Sequence, residues 1–127
     1  MNFLNRYSPQ VYCLMRFVVG GLFSFHGAQK LFGAFGGHKV HDPKMITAGV
    51  IEFGGGLLVA FGLLASIAAL ICAAEMVVAY VTVHAKMGIW PIVNKGEPAL
   101  VYLFVFLFIA TYGDGPISLG ALFRKKR

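Results

Sequence analysis

Apolar residues run along the chain in four long stretches, which are separated by short segments rich in glycine, proline and charge. The stretches cover residues 11–32, 45–64, 66–86 and 98–112. A helix needs about 20 mostly apolar residues to cross the hydrocarbon core of a bilayer, and the stretches approach this length. The pattern therefore predicts an all-α integral membrane protein, a four-transmembrane-helix bundle with both termini on the same side.

The connecting segments carry the residues that end and begin helices. A glycine-rich run at residues 33–37 ends the first stretch, and almost nothing polar separates the second stretch from the third, which predicts a tight helical hairpin. Turn-forming residues at 87–97 precede Pro98, which suits the first turn of a helix. The run 113–116 ends the fourth stretch. Because this stretch has no charged residue or histidine, we expect it to face lipid or a partner subunit.

Composition supports the membrane interpretation and excludes an ordinary soluble domain. Of the 127 residues, 58% are hydrophobic and 13% are charged, whereas a soluble domain has roughly 25% charged residues. The formal net charge of +6 does not indicate a nucleic-acid-binding protein. Four basic residues form the run 124–127 in the short tail after the last stretch, and the others lie at the ends of apolar stretches. We therefore predict one membrane domain over residues 1–127, with cytoplasmic termini and the lipid bilayer as partner.

Ionisable side chains inside the predicted spans are the first candidates for function. A charged group at membrane depth costs roughly 3 kcal/mol, so each one needs a partner or a role. His26 and Glu52 lie at similar distances from the connecting loop, and we expect them to form a pair. The pair is a candidate proton relay, with both residues in catalytic roles.

The second helix carries Glu52 on a face of small residues, which invites close packing of a neighbouring helix. Glu75 lies near the middle of the third helix. Arg16 of the first helix lies at a depth that its long side chain can bridge, so we predict an Arg16–Glu75 ion pair. This pair is either a structural contact or a ligand-binding one.

Residues near the predicted membrane boundary are further candidates for ligand binding: Gln29, Lys30, His84 and Trp90. For Gln29 and Lys30 the alternative is a side chain that extends to the boundary. For His84 and Trp90 the alternative is an interfacial anchor.

No metal site is predicted. His38, His41 and Asp42 share one loop but lack a ligand spacing that is typical of a metal centre. Cys13 and Cys72 lie in apolar stretches and are expected to pack as small buried residues, with a redox pair as the alternative.

Several separated motifs together resemble the DoxX family of small bacterial membrane proteins, and the resemblance covers almost the whole chain. They occur in the family's order: Arg16, His26-Gly-Ala-Gln-Lys-Leu-Phe-Gly33, Gly36-Gly37, Glu52-Phe-Gly-Gly-Gly-Leu-Leu58, Gly62-Leu63, Glu75-Met76 with His84, and Gly113-Asp-Gly-Pro-Ile-Ser-Leu119. One departure is Gly120, because many relatives have an acidic residue after Ser-Leu.

The resemblance implies a four-helix protein of the bacterial inner membrane, described as an oxidoreductase subunit. It is similar to a small subunit of thiosulfate:quinone oxidoreductase, and mycobacterial relatives are linked to oxidative-stress complexes. The first functional hypothesis is a quinone-interacting subunit of such a complex, with His26 and Glu52 as the proton relay. The alternative is a non-enzymatic membrane scaffold or a carrier of small apolar molecules.

Quinone is the cofactor that the first hypothesis implies. The sequence contains no haem-attachment motif, flavin fingerprint or iron–sulfur cysteine set, so electrons would have to come from elsewhere. At most, the chain is a redox subunit that receives electrons from a partner or from a second bound cofactor. The expected protein partners are a redox subunit or further copies of this chain in a homo-oligomer.

Overall fold

The computed structural model describes residues 2–125, and all regular elements in this range are helices. The predicted all-α architecture is therefore confirmed. In chain order, the helices are α1 (Asn2–Asn5), α2 (Ser8–Phe32), α3 (Pro43–Phe61), α4 (Ala65–Met87), α5 (Pro91–Asn94), α6 (Glu97–Tyr112) and α7 (Leu119–Lys125).

The helices α2, α3 and α4 have the length and apolar composition that a membrane crossing requires, with 25, 19 and 23 residues. The helix α6 is also apolar but has only 16 residues. At a rise of about 1.5 Å per residue it is about 24 Å long, which is less than the roughly 30 Å of a hydrocarbon core. The three longer helices support a membrane protein, whereas a crossing by α6 depends on how it packs.

Proline, glycine and aspartate mark the helix ends. Pro9 lies in the first turn of α2, and Gly33 ends this helix with a φ of 68°, a left-handed conformation that favours glycine. The carboxylate of Asp42 accepts a hydrogen bond from the backbone N–H of Lys44 (3.3 Å) at the start of α3. These caps satisfy backbone groups that have no partner within their own helix.

The helices α2 and α3 touch through their backbones. A methyl group added to Gly20 would overlap the backbone of Gly56 and Ala60, and one added to Gly27 would overlap the backbone of Phe53. The sequence predicts a small-residue packing face on the second helix, and this prediction is confirmed, with α2 as the partner helix.

The helices α4 and α6 pack along each other through small residues of α4 and larger ones of α6. Phe106 and Ile109 of α6 are fully buried, and the ring of Phe106 lies 4.7 Å from that of Phe23 on α2. The buried residues of α4 are Ala65, Ala68, Ala69, Cys72, Ala73 and Met76. The fourth stretch was expected to face lipid or a partner subunit. One side of α6 is exposed and fits this expectation, but the other side packs into the core, which the expectation did not include.

Arg16 closes the end of the bundle where α3 ends. Its side chain is 3% exposed and donates hydrogen bonds to backbone carbonyls. Nε binds the carbonyl of Val59 (2.9 Å), Nη2 binds those of Ala60 (3.3 Å) and Ile117 (3.0 Å), and Nη1 binds that of Asp114. The last-turn carbonyls of a helix lack partners and carry partial negative charge, so the guanidinium caps α3 and ties the segment after α6 to it.

Asp114 completes this closed end. One carboxylate oxygen accepts a hydrogen bond from the backbone N–H of Ala65 at the start of α4 (2.8 Å), and the other lies 3.1 Å from Nη1 of Arg124. The backbone N–H of Gly120 donates to the carbonyl of Gly62 (2.9 Å). A side chain at position 120 would overlap the Asp114 carboxylate. The glycine therefore fits a packed position that has no room for an acidic residue.

The predicted Arg16–Glu75 ion pair is wrong. The guanidinium is directed to backbone carbonyls, and one carboxylate oxygen of Glu75 is buried without a hydrogen-bond partner among the residues described. Residue numbering gives the depth of a side chain but does not reveal which backbone acceptors are free. The carbonyls of Val59 and Ala60 at the end of α3 supply the partners that Arg16 uses instead.

Gly20 and Gly21 provide a matched test of the α2–α3 contact. We expect Gly20→Ala to lower the free energy of unfolding by about 1 to 3 kcal/mol, because the added methyl group forces two backbones apart. A methyl group on Gly21 meets nothing within 4 Å, so Gly21→Ala is expected to be neutral or stabilising by up to about 1 kcal/mol. Chemical unfolding in mixed micelles measures the free energy of unfolding of both variants. Equal losses for the two variants would contradict the backbone contact.

Arg16→Met is expected to lower the free energy of unfolding by about 3 kcal/mol or more, because buried carbonyls lose their donors. Glu75→Gln is expected to change it by less than about 1 kcal/mol, because Arg16 does not depend on Glu75. Arg6→Met, at an exposed arginine, controls for loss of charge. If Glu75→Gln lowers the free energy of unfolding as much as Arg16→Met does, the result would indicate that Arg16 and Glu75 form an ion pair after all.

Candidate functional site

Lys30 and Glu52 form an ion pair between α2 and α3. Glu52 is 3% exposed. Lys30 lies in the last turn of α2, and its side chain is 26% exposed. A buried carboxylate is costly unless a cation or hydrogen-bond donor accompanies it. The pair therefore stabilises Glu52 inside the bundle and connects it to the surface at the loop end of α2.

The predicted pairing of His26 with Glu52 is wrong, because Glu52 binds Lys30 instead. His26 is exposed on α2, and its ring stands edge-on to that of Tyr102, with centroids 6.1 Å apart and planes at 88°. His26 and Lys30 are four residues apart and share one helix face. The longer lysine side chain reaches the carboxylate that was predicted to bind the imidazole.

Glu52 lies in a π-helical segment of α3, Ile51–Gly55. Such wider turns occur mostly as single turns within α-helices and are frequent at functional sites. At the far end of the segment, a methyl group on Gly55 would meet Sγ of Cys72 on α4. The irregular turn thus lies where α2, α3 and α4 approach one another.

Glu75 adds a second carboxyl group to this region. It lies near enough to Glu52 and Lys30 for their charges to interact. Its Oε2 atom is buried and has no hydrogen-bond partner within residues 2–125. Buried polar atoms in proteins are nearly always hydrogen-bonded, so this oxygen marks a place for a proton, a water molecule or a ligand group.

Tyr102 of α6 belongs to the aromatic packing between α2 and α6. The ring of Tyr102 lies 5.1 Å from Phe23 and is stacked on Phe106 at 5.8 Å. Tyr102 also lies within electrostatic range of Glu52. Tyr102 was not among the candidates predicted from the sequence, although its hydroxyl group is a polar exception within the apolar stretch of α6. We call Lys30, Glu52, Glu75, His26 and Tyr102 the acidic cluster.

The remaining boundary candidates lie apart from the acidic cluster. Gln29 donates to the backbone carbonyl of Phe35 (3.2 Å) and packs against Gly37, so it holds the loop after α2. Trp90 is 70% exposed, which is typical of an aromatic residue at a membrane interface. Arg16 lies at the opposite end of α2, where its donors bind backbone carbonyls.

His84 belongs to a polar group that fixes the segment between α4 and α6. Its Nδ1 atom lies 3.0 Å from the carbonyl oxygen of Asn94, whose side chain donates to the Tyr80 hydroxyl (3.1 Å) and to the carbonyl of Gly88 (3.0 Å). Asn94 is fully buried and also accepts from the backbone N–H of Gly96 (2.8 Å). The sequence analysis identified this turn but missed the burial of Asn94, which nothing in the turn pattern indicates.

Cys13 and Cys72 are both buried free thiols. Cys72 faces Gly55, whereas Cys13 faces Gly115 near the other end of the bundle. The two cysteines are therefore packed in separate contacts.

Within the described residues, no three His, Cys, Asp or Glu side chains converge on a point that could hold a metal ion. Asp42 serves as the cap of α3.

The acidic cluster combines one cation with two carboxyl groups and neighbouring aromatic rings. Because Lys30 reaches the surface and Glu75 has a buried oxygen without a partner, the arrangement is suited to taking up or releasing a proton inside an apolar bundle.

Comparison with known proteins supports a single family. The DoxX family matches residues 11–85, which is more than half of the chain and includes Lys30, Glu52 and Glu75. A Haemophilus influenzae protein described only as uncharacterized is 39% identical over 134 aligned residues, which cover 99% of this chain and all of that relative. No solved structure matches the chain. The family match, the apolar helices and the near full-length similarity together show that the protein is a membrane protein of the DoxX family.

Proposed function

We propose that the protein is the quinone-interacting membrane subunit of an oxidoreductase or oxidative-stress complex, and that the acidic cluster handles the protons. The observation that carries the proposal is the buried, unpartnered oxygen of Glu75 beside the Lys30–Glu52 ion pair. Ionisable groups inside a membrane bundle are rare and costly, so an arrangement with a spare carboxyl oxygen favours a chemical role over packing alone.

The charges of the acidic cluster suit proton transfer. Lys30 supplies one positive charge, and Glu52 and Glu75 supply two carboxyl groups. With one proton on the carboxyl groups the cluster is neutral, and without it the cluster carries one negative charge. The partial exposure of Lys30 gives protons from the loop-side solution a route to the buried Glu52.

The residues around the carboxyl groups fit an aromatic carbonyl ligand. Quinone supplies two-electron redox chemistry, and its reduction consumes two protons. Tyr102 and His26 would offer hydrogen-bond donors to ring oxygens, and the half-buried ring of Tyr102 would supply an apolar contact. His26 also keeps its proposed place in the relay, as an exposed imidazole next to Tyr102 rather than as a partner of Glu52.

The electrons must come from outside this chain, because its sequence has no haem, flavin or iron–sulfur motif. A redox partner subunit, or a second bound cofactor that carries electrons, is therefore part of the proposal. The chain itself would provide the membrane site and the proton transfer.

We further propose that α6 crosses the bilayer as a fourth span and that both termini lie in the cytoplasm at the inner membrane. The helix α6 packs along α4 and buries Phe106 and Ile109. The bonds of Arg16 to Asp114 and Ile117 bring the segment after α6 to the first half of α2, and the basic residues 124–127 favour the cytoplasmic side.

Quinone retention tests the proposed chemistry. We expect quinone to co-purify stoichiometrically from the native membrane, as measured by native mass spectrometry and lipid extraction. Glu52→Gln is expected to reduce retention at least about tenfold, because it removes the anionic partner of Lys30 and one protonatable group. Glu75→Gln breaks no hydrogen bond of Oε2 and is expected to reduce retention without loss of thermal stability.

Glu97→Gln is the matched control, because Glu97 is an exposed carboxylate at the start of α6. Phospholipid alone in the wild-type preparation, at any stoichiometry, would contradict the quinone proposal and favour a scaffold or carrier. Equal quinone retention by the wild type, Glu52→Gln and Glu75→Gln would exclude a role for these carboxyl groups.

Reporter fusions test the membrane topology. We expect a green fluorescent protein at either terminus to fluoresce and alkaline phosphatase inserted at residues 36–38 or 88–90 to be active. If α6 does not cross, the C-terminal fusion changes sides, and alkaline phosphatase placed there becomes active while the fluorescent protein is dark.

A further inference from the structure

The C-terminal helix α7 is held firmly against the end of the bundle on one side and is open on the other. Gly120 donates to the carbonyl of Gly62, and the Ser118 hydroxyl donates to the carbonyl of Gly115 (2.8 Å) and accepts from the backbone N–H of Ala121 (3.0 Å). These bonds fix the orientation of α7. The opposite side presents apolar and basic side chains to the surroundings.

Two open grooves flank this segment and share Ile117 and Ser118. The first has a volume of about 520 Å³, and its lining includes Leu14 and Phe17 of α2 and Phe61 at the end of α3. The second has a volume of about 550 Å³, and its lining includes Leu122, Arg124 and Lys125. We call the two grooves, which share these two lining residues, the cleft; its first part is mainly apolar, and its second part is lined by two cations.

The apolar part of the cleft continues onto the outer surface of the bundle. Leu14 is 63% exposed and Phe17 is 52% exposed on α2, and Phe61 is 50% exposed. In a membrane protein these side chains face acyl chains, because water is absent at that depth. The apolar groove therefore opens toward lipid and not toward the aqueous phase.

Among the described residues, the positive part of the cleft has two cations, Arg124 and Lys125, and one salt bridge, between Arg124 and Asp114. Arg124 is paired with Asp114 but remains 63% exposed, and Lys125 is exposed beside it. The sequence places four positive charges in residues 124–127. Basic residues next to a span attract anionic lipid headgroups, with each charge contributing several-fold in affinity.

We propose that this cleft is a binding site for an anionic phospholipid, with an acyl chain in the apolar groove and the phosphate beside Arg124 and Lys125. An amphipathic cleft that joins the lipid-facing surface to a cationic helix end fits this class of molecule. A nucleic acid or a soluble anion would use the charges but leave the apolar groove empty. The site lies at the opposite end of the bundle from Lys30 and is independent of the proposed quinone chemistry.

Lipid competition tests the site. The full chain, purified in detergent, is incubated with equal amounts of phosphatidylglycerol and phosphatidylcholine of the same acyl chains, and bound lipid is counted by native mass spectrometry. We expect phosphatidylglycerol to be retained about tenfold over phosphatidylcholine at low salt, with the preference falling as salt increases. The double variant R124Q/K125Q is expected to abolish the preference.

The control K39Q/K44Q also removes two positive charges at exposed residues, but in the segment that joins α2 to α3. It is expected to keep the preference within about twofold. Leu14→Trp narrows the apolar groove and is expected to reduce retention of both lipids with the preference unchanged. Equal retention of the two lipids by the wild type, equal effects of the two double variants, or full displacement of phosphatidylglycerol by inorganic phosphate would each overturn the proposal.

Discussion

A bilayer offers no water to polar groups, so each one carried into it needs a partner within the protein. Arg16 meets this constraint for two segments at once, because one guanidinium satisfies carbonyls at the end of α3 and in the segment after α6. Asp114 does the same for the first N–H of α4. These two side chains connect α2, α3, α4 and the end of α6, and the arrangement of the bundle above them depends on this connection.

The ion pair between Lys30 and Glu52 depends in turn on how closely α2 lies on α3. Gly20 and Gly27 remove the side chains that would separate the two backbones. Lys30 follows Gly27 by about one helical turn, so its side chain comes within reach of Glu52 across the interface. Larger residues at the glycine positions would move the ammonium group away from the carboxylate. The small-residue face is therefore a condition for burying Glu52.

Hydrophobic runs predict the helices well because lipid exposure demands apolar side chains over a fixed length. The partners of ionisable groups are harder to predict, since they depend on helix rotation, side-chain reach and free backbone acceptors. Glu52 was placed correctly on a packing face, but Lys30 and not His26 binds it. Arg16 was recognised as a buried cation, yet its partners are carbonyl oxygens, which no residue type in the sequence marks. Glu75 illustrates the remaining case, a carboxyl group whose lack of a partner only the packed structure reveals.

The two ends of the bundle differ in whether the ionisable side chains have hydrogen-bonding atoms available for a ligand or a proton. Most of the N–H donors of Arg16 are committed to backbone carbonyls, so a ligand there would have to break bonds that stabilise the helix ends. Glu75 keeps an oxygen with no such commitment, and a proton or donor group that binds it disrupts nothing. Arg16 of this chain is thus best explained by assembly of the bundle, and the proton chemistry that we propose is assigned to Glu52 and Glu75 instead. Ionisable residues in membrane segments can therefore serve either assembly or chemistry. The number of their hydrogen-bonding atoms that the fold leaves without a partner distinguishes the two roles.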